Sequence, residues 1–257
     1  MAVTVDKPLG DKIIIITGAS KGFGKAMSLR LAEEDVNLGL VARDEEALAE
    51  TGRQAERLGS KIQTVAVDVS VPYQVSTMSH AIKHTLGIPD IIINNAGEAG
   101  DQGLIADISY GSWHRTIKTN LDSMFLVCRE FVPEMIEKRT GAIINVTSGA
   151  GKRRDFLDSR APRSLPYAVS KFGVEGFTQG LAAQLFPYGI AVNAFSPGPM
   201  NTDFHQYSPA DRRKGLKDPA QAAEAIAFLC AQTCNTMTGS TFTFEEWCAL
   251  RSKRDGE

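Results

Sequence analysis

A tyrosine and a lysine four residues apart, in Tyr167-Ala168-Val169-Ser170-Lys171, form the pair best suited to acid–base chemistry in this sequence. If the segment is helical, both side chains lie on one face and their ends can converge. Free tyrosine has a pKa of about 10, and a neighbouring ammonium favours the phenolate. Ser148 ends an apolar run and could hydrogen-bond a carbonyl oxygen. The alternatives are a pair on a solvated helix surface and a serine that caps a turn.

A glycine-rich turn follows the apolar run Ile13–Ile16 and precedes a helical pattern that continues to about Glu34. It reads Thr17-Gly18-Ala19-Ser20-Lys21-Gly22-Phe23-Gly24. Glycine lets backbone N–H groups approach a phosphate, and a helix N-terminus adds favourable partial charge. The turn therefore predicts a dinucleotide site, with an ordinary tight turn as the alternative.

The second apolar run ends at Arg43, where an NAD site would place an acid to bind the ribose 2′-hydroxyl. An arginine there can instead pair with the 2′-phosphate of NADP, and Lys21 supplies a second cation on that side. These residues favour NADP(H) over NAD(H). The preference would weaken if the Asp44 carboxylate, rather than Arg43, faced the ribose.

Strand-like and helical patterns alternate along the chain and must position these residues. A helical face steps through Trp113, Ile117, Leu121, Phe125, Cys128, Val132 and Met135. The pattern predicts an α/β fold, a Rossmann-type doubly wound parallel sheet of about seven strands with helices on both faces, in a single domain. The predicted strands are Lys12–Ile16, Asn37–Val41, Ile62–Val67, Asp90–Ile93, Ala142–Val146, Ile190–Phe195 and Ser240–Phe244.

The composition predicts a globular cytoplasmic protein whose single domain spans residues 1–257, with frayed ends at about 1–10 and 248–257. A net charge of −2 argues against nucleic acid as the main partner. No apolar run approaches the roughly 20 residues of a membrane span, and no signal peptide is evident. The four cysteines have irregular spacing, and no histidine cluster accompanies Cys230 and Cys234, so we expect neither a disulfide framework nor a zinc site.

Seven motifs in order make the chain resemble the single-domain branch of the short-chain dehydrogenase/reductase family, close to the 3-oxoacyl-acyl-carrier-protein reductase type. The motifs run from about residue 12 to residue 202, and the flanking pattern extends the match to about residue 244. They are Thr17-Gly18-x-x-x-Gly22-x-Gly24, Asp68-Val69, Asn94-Asn95-Ala96-Gly97, Asn120, Ser148, Tyr167-x-x-x-Lys171 and Pro197-Gly198-x-x-x-Thr202.

The resemblance implies roles for individual residues. Tyr167 would be the general acid/base, Lys171 would lower its pKa and hold the nicotinamide ribose, and Ser148 would orient the substrate. Asn120 would bind a water in a proton relay. The cofactor-binding residues would be Gly18, Ser20, Lys21, Gly22, Phe23, Gly24, Arg43, Asp68, Val69, Asn95, Ala96, Gly97, Tyr167, Lys171, Pro197, Gly198, Met200 and Thr202.

The implied activity is NADP(H)-dependent hydride transfer between the nicotinamide and a carbonyl or secondary alcohol of a small molecule, with no metal. One alternative is an NAD-linked sugar, polyol or hydroxysteroid dehydrogenase with the same four residues. Another is a catalytically silent NADP-binding regulatory protein. Gly173, Gly176 and Gly180 in one helix suggest that another backbone packs closely, and similar proteins form tetramers, so we expect a homo-oligomer, either a tetramer or a dimer.

Four segments depart from the family pattern. The stretch Lys152–Arg163 is longer than usual and holds five cations against two acids. It could attract an anionic substrate, or it could form a solvated loop or a subunit contact. Phe204, His205 and Tyr207 lie in a short lid segment and could line the pocket. Glu98 stands where an apolar residue is usual; its carboxylate could face a cationic or polyhydroxylated substrate or face solvent. Phe244-Glu245-Glu246-Trp247 replaces the usual glycine pair, and Trp247 could serve substrate, interface or packing.

Overall fold

A computed structural model describes residues 9–151, 164–202, 204 and 216–254. Seven parallel strands form one sheet in the order β3-β2-β1-β4-β5-β6-β7. They are β1 (Ile13–Thr17), β2 (Asn37–Ala42), β3 (Ile62–Ala66), β4 (Ile91–Asn94), β5 (Gly141–Val146), β6 (Ile190–Ser196) and β7 (Thr241–Thr243). The predicted doubly wound α/β fold and its seven strands are confirmed.

Apolar side chains on both faces explain why the central strands lack an alternating polar pattern. Ile14 and Ile16 enter the core on one face of the sheet, and Ile15 enters the core on the other. All three are fully buried, as expected for a parallel sheet covered on both sides by helices. The covering helices are α1 (Gly22–Ala32), α2 (Glu45–Glu56), α3 (Pro72–Thr85), α4 (Tyr110–Ile117), α5 (Ser123–Lys138), α6 (Leu165–Leu185) and α7 (Pro219–Cys230).

A π-helical segment, Lys118–Asp122, joins α4 to α5 and corrects the predicted helical face. Phe125, assigned to that face, is 51% exposed, whereas Met124 and Val127 are buried. The wider turn adds a residue to the helix, so the side chains that follow are rotated relative to a continuous α-helix. The three-to-four-residue spacing of apolar side chains in α4 therefore does not continue in register into α5.

The C-terminal segment forms an additional helix, α8 (Phe244–Arg254), where the sequence predicted a frayed tail from about residue 248. Phe244 begins this helix instead of ending the last strand. The Trp247 ring lies 5.4 Å from the Phe228 ring on α7. This aromatic contact holds α8 against α7, so the Trp247 side chain serves packing. Across the described ranges, no helix combines the length and apolar character that crossing a membrane requires.

Candidate functional site

The carboxyl end of β5 and the first turns of α6 bring three predicted catalytic side chains together. Ser148 follows β5, and its hydroxyl hydrogen-bonds the Tyr167 phenol. The Lys171 ammonium lies 5.6 Å from the centroid of the Tyr167 ring. Its Nζ donates a hydrogen bond to the Val146 carbonyl oxygen at 2.8 Å. Strand and helix thus hold a serine, a phenol and an ammonium at one point of the sheet edge.

Burial shifts the pKa values of both Tyr167 and Lys171. It raises the pKa of the Tyr167 phenol, and the hydrogen bond from Ser148 acts in the opposite direction. Burial also lowers the pKa of Lys171 to about 8, while the negative charge of Glu175 opposes that decrease. Both groups are therefore shifted from their ordinary values by an apolar environment, a feature that is frequent at active sites.

A glycine brings a short turn against the backbone of α6. The 3-10 turn Gly149–Gly151 follows Ser148 directly. A Cβ atom on Gly151 would lie 2.6 Å from the Lys171 carbonyl oxygen, closer than atoms can pack. Only glycine allows this approach, which fixes the end of β5 relative to the helix that carries Tyr167.

Asn120 lies in the π-helical segment, and its buried amide connects three parts of the site. Its Oδ1 accepts a hydrogen bond from the Glu98 amide at 2.7 Å, and its Nδ2 donates to the Glu98 carbonyl at 2.9 Å. The same nitrogen donates to Ser170 Oγ on α6 at 3.0 Å. Asn120 therefore ties the segment after β4 to α6, the helix that carries Tyr167 and Lys171.

The Glu98 carboxylate faces α4, which differs from both interpretations of this residue made from the sequence. Its Oε1 accepts hydrogen bonds from Thr116 Oγ1 at 3.0 Å and from Arg115 Nε at 3.2 Å. The glutamate side chain is 21% exposed. We call Glu98, Arg115 and Thr116 the Glu98 clamp. The clamp holds the Glu98 side chain, while the Glu98 main chain binds Asn120.

The glycine turn has the features that a nucleotide phosphate requires. Gly18 and Gly22 adopt positive φ angles of 68° and 53°. A Cβ atom on Gly24 would lie 2.0 Å from the Gly18 carbonyl oxygen. In the part of the chain that the structure describes, no side chain caps α1 and no acid lies in its first turn. The amide groups at this helix end therefore fit an anionic group.

Asn95 holds the glycine turn against the end of β4. Its Nδ2 donates to the carbonyl oxygens of Thr17 at 2.9 Å and Gly18 at 3.3 Å. The backbone amides of Asn95 and Ala96 both donate to Thr17 Oγ1. A Cβ atom on Gly97 would lie 3.2 Å from Asn120 Oδ1. These contacts make the motif a framework that joins the glycine turn to Asn120.

Two of the charged residues near the end of β2 form an ion pair with each other. Lys21 Nζ lies 2.6 Å from Asp44 Oδ2. Asp44 also caps α2, because its Oδ1 accepts a hydrogen bond from the Ala47 amide. The interaction with Lys21 holds the pKa of the Asp44 carboxyl below its ordinary value. Arg43, in contrast, is exposed at the sheet edge.

The remaining cofactor candidates near the glycine turn follow β1 and β3. Val69 is buried, and Asp68 Oδ1 accepts a hydrogen bond from the Ser70 amide at 2.9 Å. The Ser20 carbonyl oxygen accepts a hydrogen bond from Thr51 on α2. Phe23 packs its ring 6.0 Å from that of Phe195, so its side chain belongs to the core.

The segment after β6 closes against the glycine turn. Thr202 contacts the position that a Cβ atom on Gly22 would occupy, at 3.2 Å. Gly198 has a φ of 72°, Pro197 is buried and Met200 is 9% exposed. Met200 also forms a parallel bridge with Lys217. The predicted Pro-Gly-x-x-x-Thr motif is therefore held at both its ends.

One residue from the predicted lid contacts Tyr167. The Phe204 ring lies 5.5 Å from the Tyr167 ring, at an interplanar angle of 56°. His205, Tyr207 and the basic stretch Lys152–Arg163 lie outside the described residues. An aromatic side chain thus covers one side of the phenol.

Sequence reasoning missed several polar residues that support the predicted ones. Ser170 Oγ accepts a hydrogen bond from the Asn120 amide, and Thr116 Oγ1 donates one to the Glu98 carboxylate. Glu175 lies one helical turn beyond Lys171 and carries a buried carboxylate oxygen. Its four-residue spacing from Lys171 was a visible signal, whereas the roles of Thr116 and Ser170 depend on contacts between distant elements.

Among proteins of known identity, the chain has relatives that cover most of its length. It is 32% identical over 245 residues to a 3-oxoacyl-acyl-carrier-protein reductase of Vibrio cholerae, covering 91% of this chain and 95% of the relative. It is 31% identical over 237 residues to a 3beta-hydroxysteroid dehydrogenase of Mediterraneibacter gnavus, covering 92% and 82%.

A solved structure agrees with the fold. The NADPH complex of an actinorhodin polyketide ketoreductase variant superposes with a TM-score of 0.81 at 27% identity, covering 91% of this chain and 95% of that one. The sequence profile of the short chain dehydrogenases matches residues 12–213. The ordered motifs, the parallel sheet and these matches show that the chain belongs to the short-chain dehydrogenase/reductase family of oxidoreductases.

Proposed function

We propose that this protein is an NADP(H)-dependent oxidoreductase that interconverts a ketone and a secondary alcohol, with Tyr167 as the general acid/base. The observation that carries the proposal is the convergence of Ser148, Tyr167 and Lys171 at the carboxyl edge of the sheet, on the same side as the glycine turn. Ligands of doubly wound sheets bind at this edge.

The chain's own residues would bind the cofactor and move the proton. A bound nicotinamide supplies or accepts the hydride. Ser148 donates a hydrogen bond to the substrate oxygen, and Tyr167 gives that oxygen its proton during reduction. The Lys171 ammonium stabilises the phenolate that remains, because an opposite charge nearby favours the ionised form. In the oxidation direction, the same tyrosine takes the proton back.

The proposed preference for NADP(H) rests on Arg43. Asp44, which could have favoured NAD(H), already accepts hydrogen bonds from the Ala47 amide and pairs with Lys21. Arg43 is exposed beside the end of β2, where a 2′-phosphate is bound in related folds. Two NADPH-bound structural neighbours, the polyketide ketoreductase and an L-sorbose reductase from Gluconobacter frateurii, support this choice.

We propose a substrate with an apolar or flat group next to the reacting carbon. Phe204 presents an aromatic ring beside Tyr167. Glu98, which could have selected a cationic or polyhydroxylated substrate, uses its carboxylate in the Glu98 clamp instead. Both observations favour ketones with hydrophobic substituents over sugars.

We propose that the protein acts as a homo-oligomer in the cytoplasm. Phe125, Val169 and Phe172 are exposed on α5 and α6. A Cβ atom on Gly176 or Gly180 would meet no described atom within 4 Å, so these glycines leave room for a second chain. A Cβ atom on Gly173 would instead lie 2.7 Å from Leu121 Cδ2 of the same chain, which explains that glycine without a partner. Light scattering coupled to gel filtration distinguishes monomer, dimer and tetramer.

The proposal is tested by following the decrease in NADPH absorbance, and separately the decrease in NADH absorbance, in the presence of each compound of a carbonyl panel. The panel contains acetoacetyl thioesters, keto acids, sugars, diketones and ketosteroids. We expect turnover with NADPH on hydrophobic ketones, and none with Tyr167→Phe. The matched control is Tyr73→Phe, which alters an exposed tyrosine on α3 and should retain activity. Tight NADPH binding without turnover of any compound would favour the regulatory alternative.

A further inference from the structure

Glu175 places a partly buried carboxylate one helical turn from Lys171. It lies on α6, one helical turn after Lys171 and two turns after Tyr167. One of its oxygens, Oε2, accepts a hydrogen bond from Thr241 Oγ1 on β7. The other, Oε1, is buried and, within the described part of the chain, has no hydrogen-bond partner. A carboxylate in this state needs a source of stabilisation other than hydrogen bonds.

Lys171 carries a positive charge that can stabilise the Glu175 carboxylate. It is 4% exposed, and the Val146 carbonyl oxygen is a neutral acceptor that does not balance the ammonium charge. Residues four apart on a helix lie on the same face, so Lys171 and Glu175 share one side of α6. A buried ammonium and a buried carboxylate each lower the cost of burying the other.

The strands and the turn packed on this face offer no competing acid. In the described residues of β5, β6, β7 and the turn Gly149–Gly151, no side chain is ionisable. Tyr167 is the other titratable group on α6 beside Lys171. The α4 helix and the π-helical segment carry His114, Arg115, Lys118 and Asp122; of these, Arg115 pairs with Glu98 and His114 stacks on Tyr110.

We propose that Glu175 is a positioning residue that keeps Lys171 protonated at the pH where Tyr167 transfers its proton. The electrostatic part of this inference stands on the geometry of α6 and β7. Its consequence for turnover rests on the function proposed above. Glu175 acts on the proton transfer through the charge of Lys171.

The direction of the effect follows from the signs of the charges. Burial lowers the pKa of Lys171 to about 8, and Glu175 counteracts part of that decrease. Removing the carboxylate charge should lower the pKa of Lys171 further, so the ammonium is lost at a lower pH. Ketone reduction needs the protonated lysine, and the alkaline limb of its kcat/KM profile should move to lower pH.

The direct experiment is a pH titration of Lys171 by NMR, in protein carrying lysine labelled with 13C at the ε position. The Lys171 resonance is assigned by its absence in Lys171→Arg. In Glu175→Gln, which preserves shape and can still accept from Thr241, we expect the lysine to titrate about one pH unit lower than in the wild type. Glu175→Asp retains the charge and should recover most of that shift. An unchanged titration in Glu175→Gln would overturn the proposal.

Two further variants separate the electrostatic role from a structural one. Glu137→Gln removes an equal charge from the exposed side of α5 and should leave Lys171 unchanged. Thr241→Val keeps the carboxylate and removes its hydrogen-bond donor, so Lys171 should not titrate lower. A decrease in Thr241→Val equal to that in Glu175→Gln would show that packing causes the effect, and would overturn the proposal even if Glu175→Gln folds poorly.

The kinetic readout links the pair to turnover. If the wild type reduces ketones, the alkaline limb in Glu175→Gln should move by the same amount as the NMR titration. A limb that stays in place while the NMR titration moves would overturn the link to catalysis. If the wild type reduces no ketone, the proposed function fails, but the NMR titration still tests the pair of charges.

Discussion

The two sides of the site are held by different kinds of atoms. On the side of β1 and β2, the glycine turn is shaped by backbone geometry: a Cβ atom on Gly24 would meet the Gly18 carbonyl at 2.0 Å. On the side of β5 and α6, side chains determine the site: Ser148 bonds Tyr167, and the Asn120 amide reaches Ser170. The first side can bind an anion through main-chain amides, whereas the second holds the residues that we propose transfer a proton.

This contrast explains how sensitive each side should be to substitution. Backbone amides keep their positions as long as the turn keeps its conformation, so most side-chain changes there should have small effects. A buried side-chain network loses hydrogen bonds and charge balance with each change. The largest effects are therefore expected at the catalytic side.

Replacing Tyr167 by phenylalanine should produce the largest effect, because it removes the proton donor and leaves the ring in place. We expect kcat to fall at least about 100-fold, equivalent to about 2.7 kcal/mol of transition-state stabilisation. The dissociation constant for NADPH, measured by fluorescence, should change little. Retained turnover would contradict the role of Tyr167 and the distinction between the two sides.

Gly24→Ala should have the largest effect on the glycine turn. The new methyl group would overlap the Gly18 carbonyl oxygen, so the turn must open and its amides lose their arrangement. NADPH affinity should fall at least about tenfold, or about 1.4 kcal/mol. Gly111→Ala on α4 is the matched control, since its nearest neighbour would be Ser109 Oγ at 3.9 Å. Equal affinities in both variants would mean that the turn is not shaped by this contact.

Arg43→Ala tests whether charge adds selectivity to the backbone-built side. We expect the KM for NADPH to rise about tenfold and the KM for NADH to stay the same, because only NADPH carries the 2′-phosphate. The control is Arg53→Ala on α2, whose guanidinium pairs with Glu50 on the same helix. An equal rise in the KM values for NADPH and NADH would mean that Arg43 supports the fold and does not select the cofactor.

Glu98→Ala should give the smallest effect of the four, because the Glu98 clamp acts on Asn120 only through the main chain. We expect a severalfold decrease in kcat, with the KM for NADPH unchanged. Thr116→Val removes one contact of the clamp and should cause part of the same decrease. A change confined to the KM for NADPH would place Glu98 on the cofactor side of the site.

The sequence predicted the sheet well because its signals are local. Runs such as Ile13–Ile16 favour strands buried on two faces, and the helical patterns between them favour a parallel sheet. The helical face through Phe125 failed at the π-helical segment, where a wider turn changes the phase. Nothing in the order of apolar residues reveals such a turn, because its stability depends on contacts of Asn120 with distant segments.

The sequence also predicted which residues lie close together at the candidate site, whereas their catalytic and binding roles stay predictions. Tyr167 and Lys171 could be paired from spacing alone, and the resemblance to the family supplied Asn120 and Ser148. The orientation of Glu98 could not be predicted, since it depends on how the segment after β4 lies against α4. The pairing of Lys21 with Asp44 was also missed, because two loop residues meet only when β1 and β2 are aligned.

The π-helical segment links chemistry to packing in a way that restricts how this chain can change. Deleting one residue from Lys118–Asp122 would let the segment close as an ordinary α-helical turn, and the residues after it would keep roughly their places around the helix axis. Val127 and Phe131 would stay in the core, whereas Asn120 would lose its place beneath Glu98. The core would therefore tolerate the loss of the extra residue, and it is the contact between Asn120 and Glu98 that depends on keeping it.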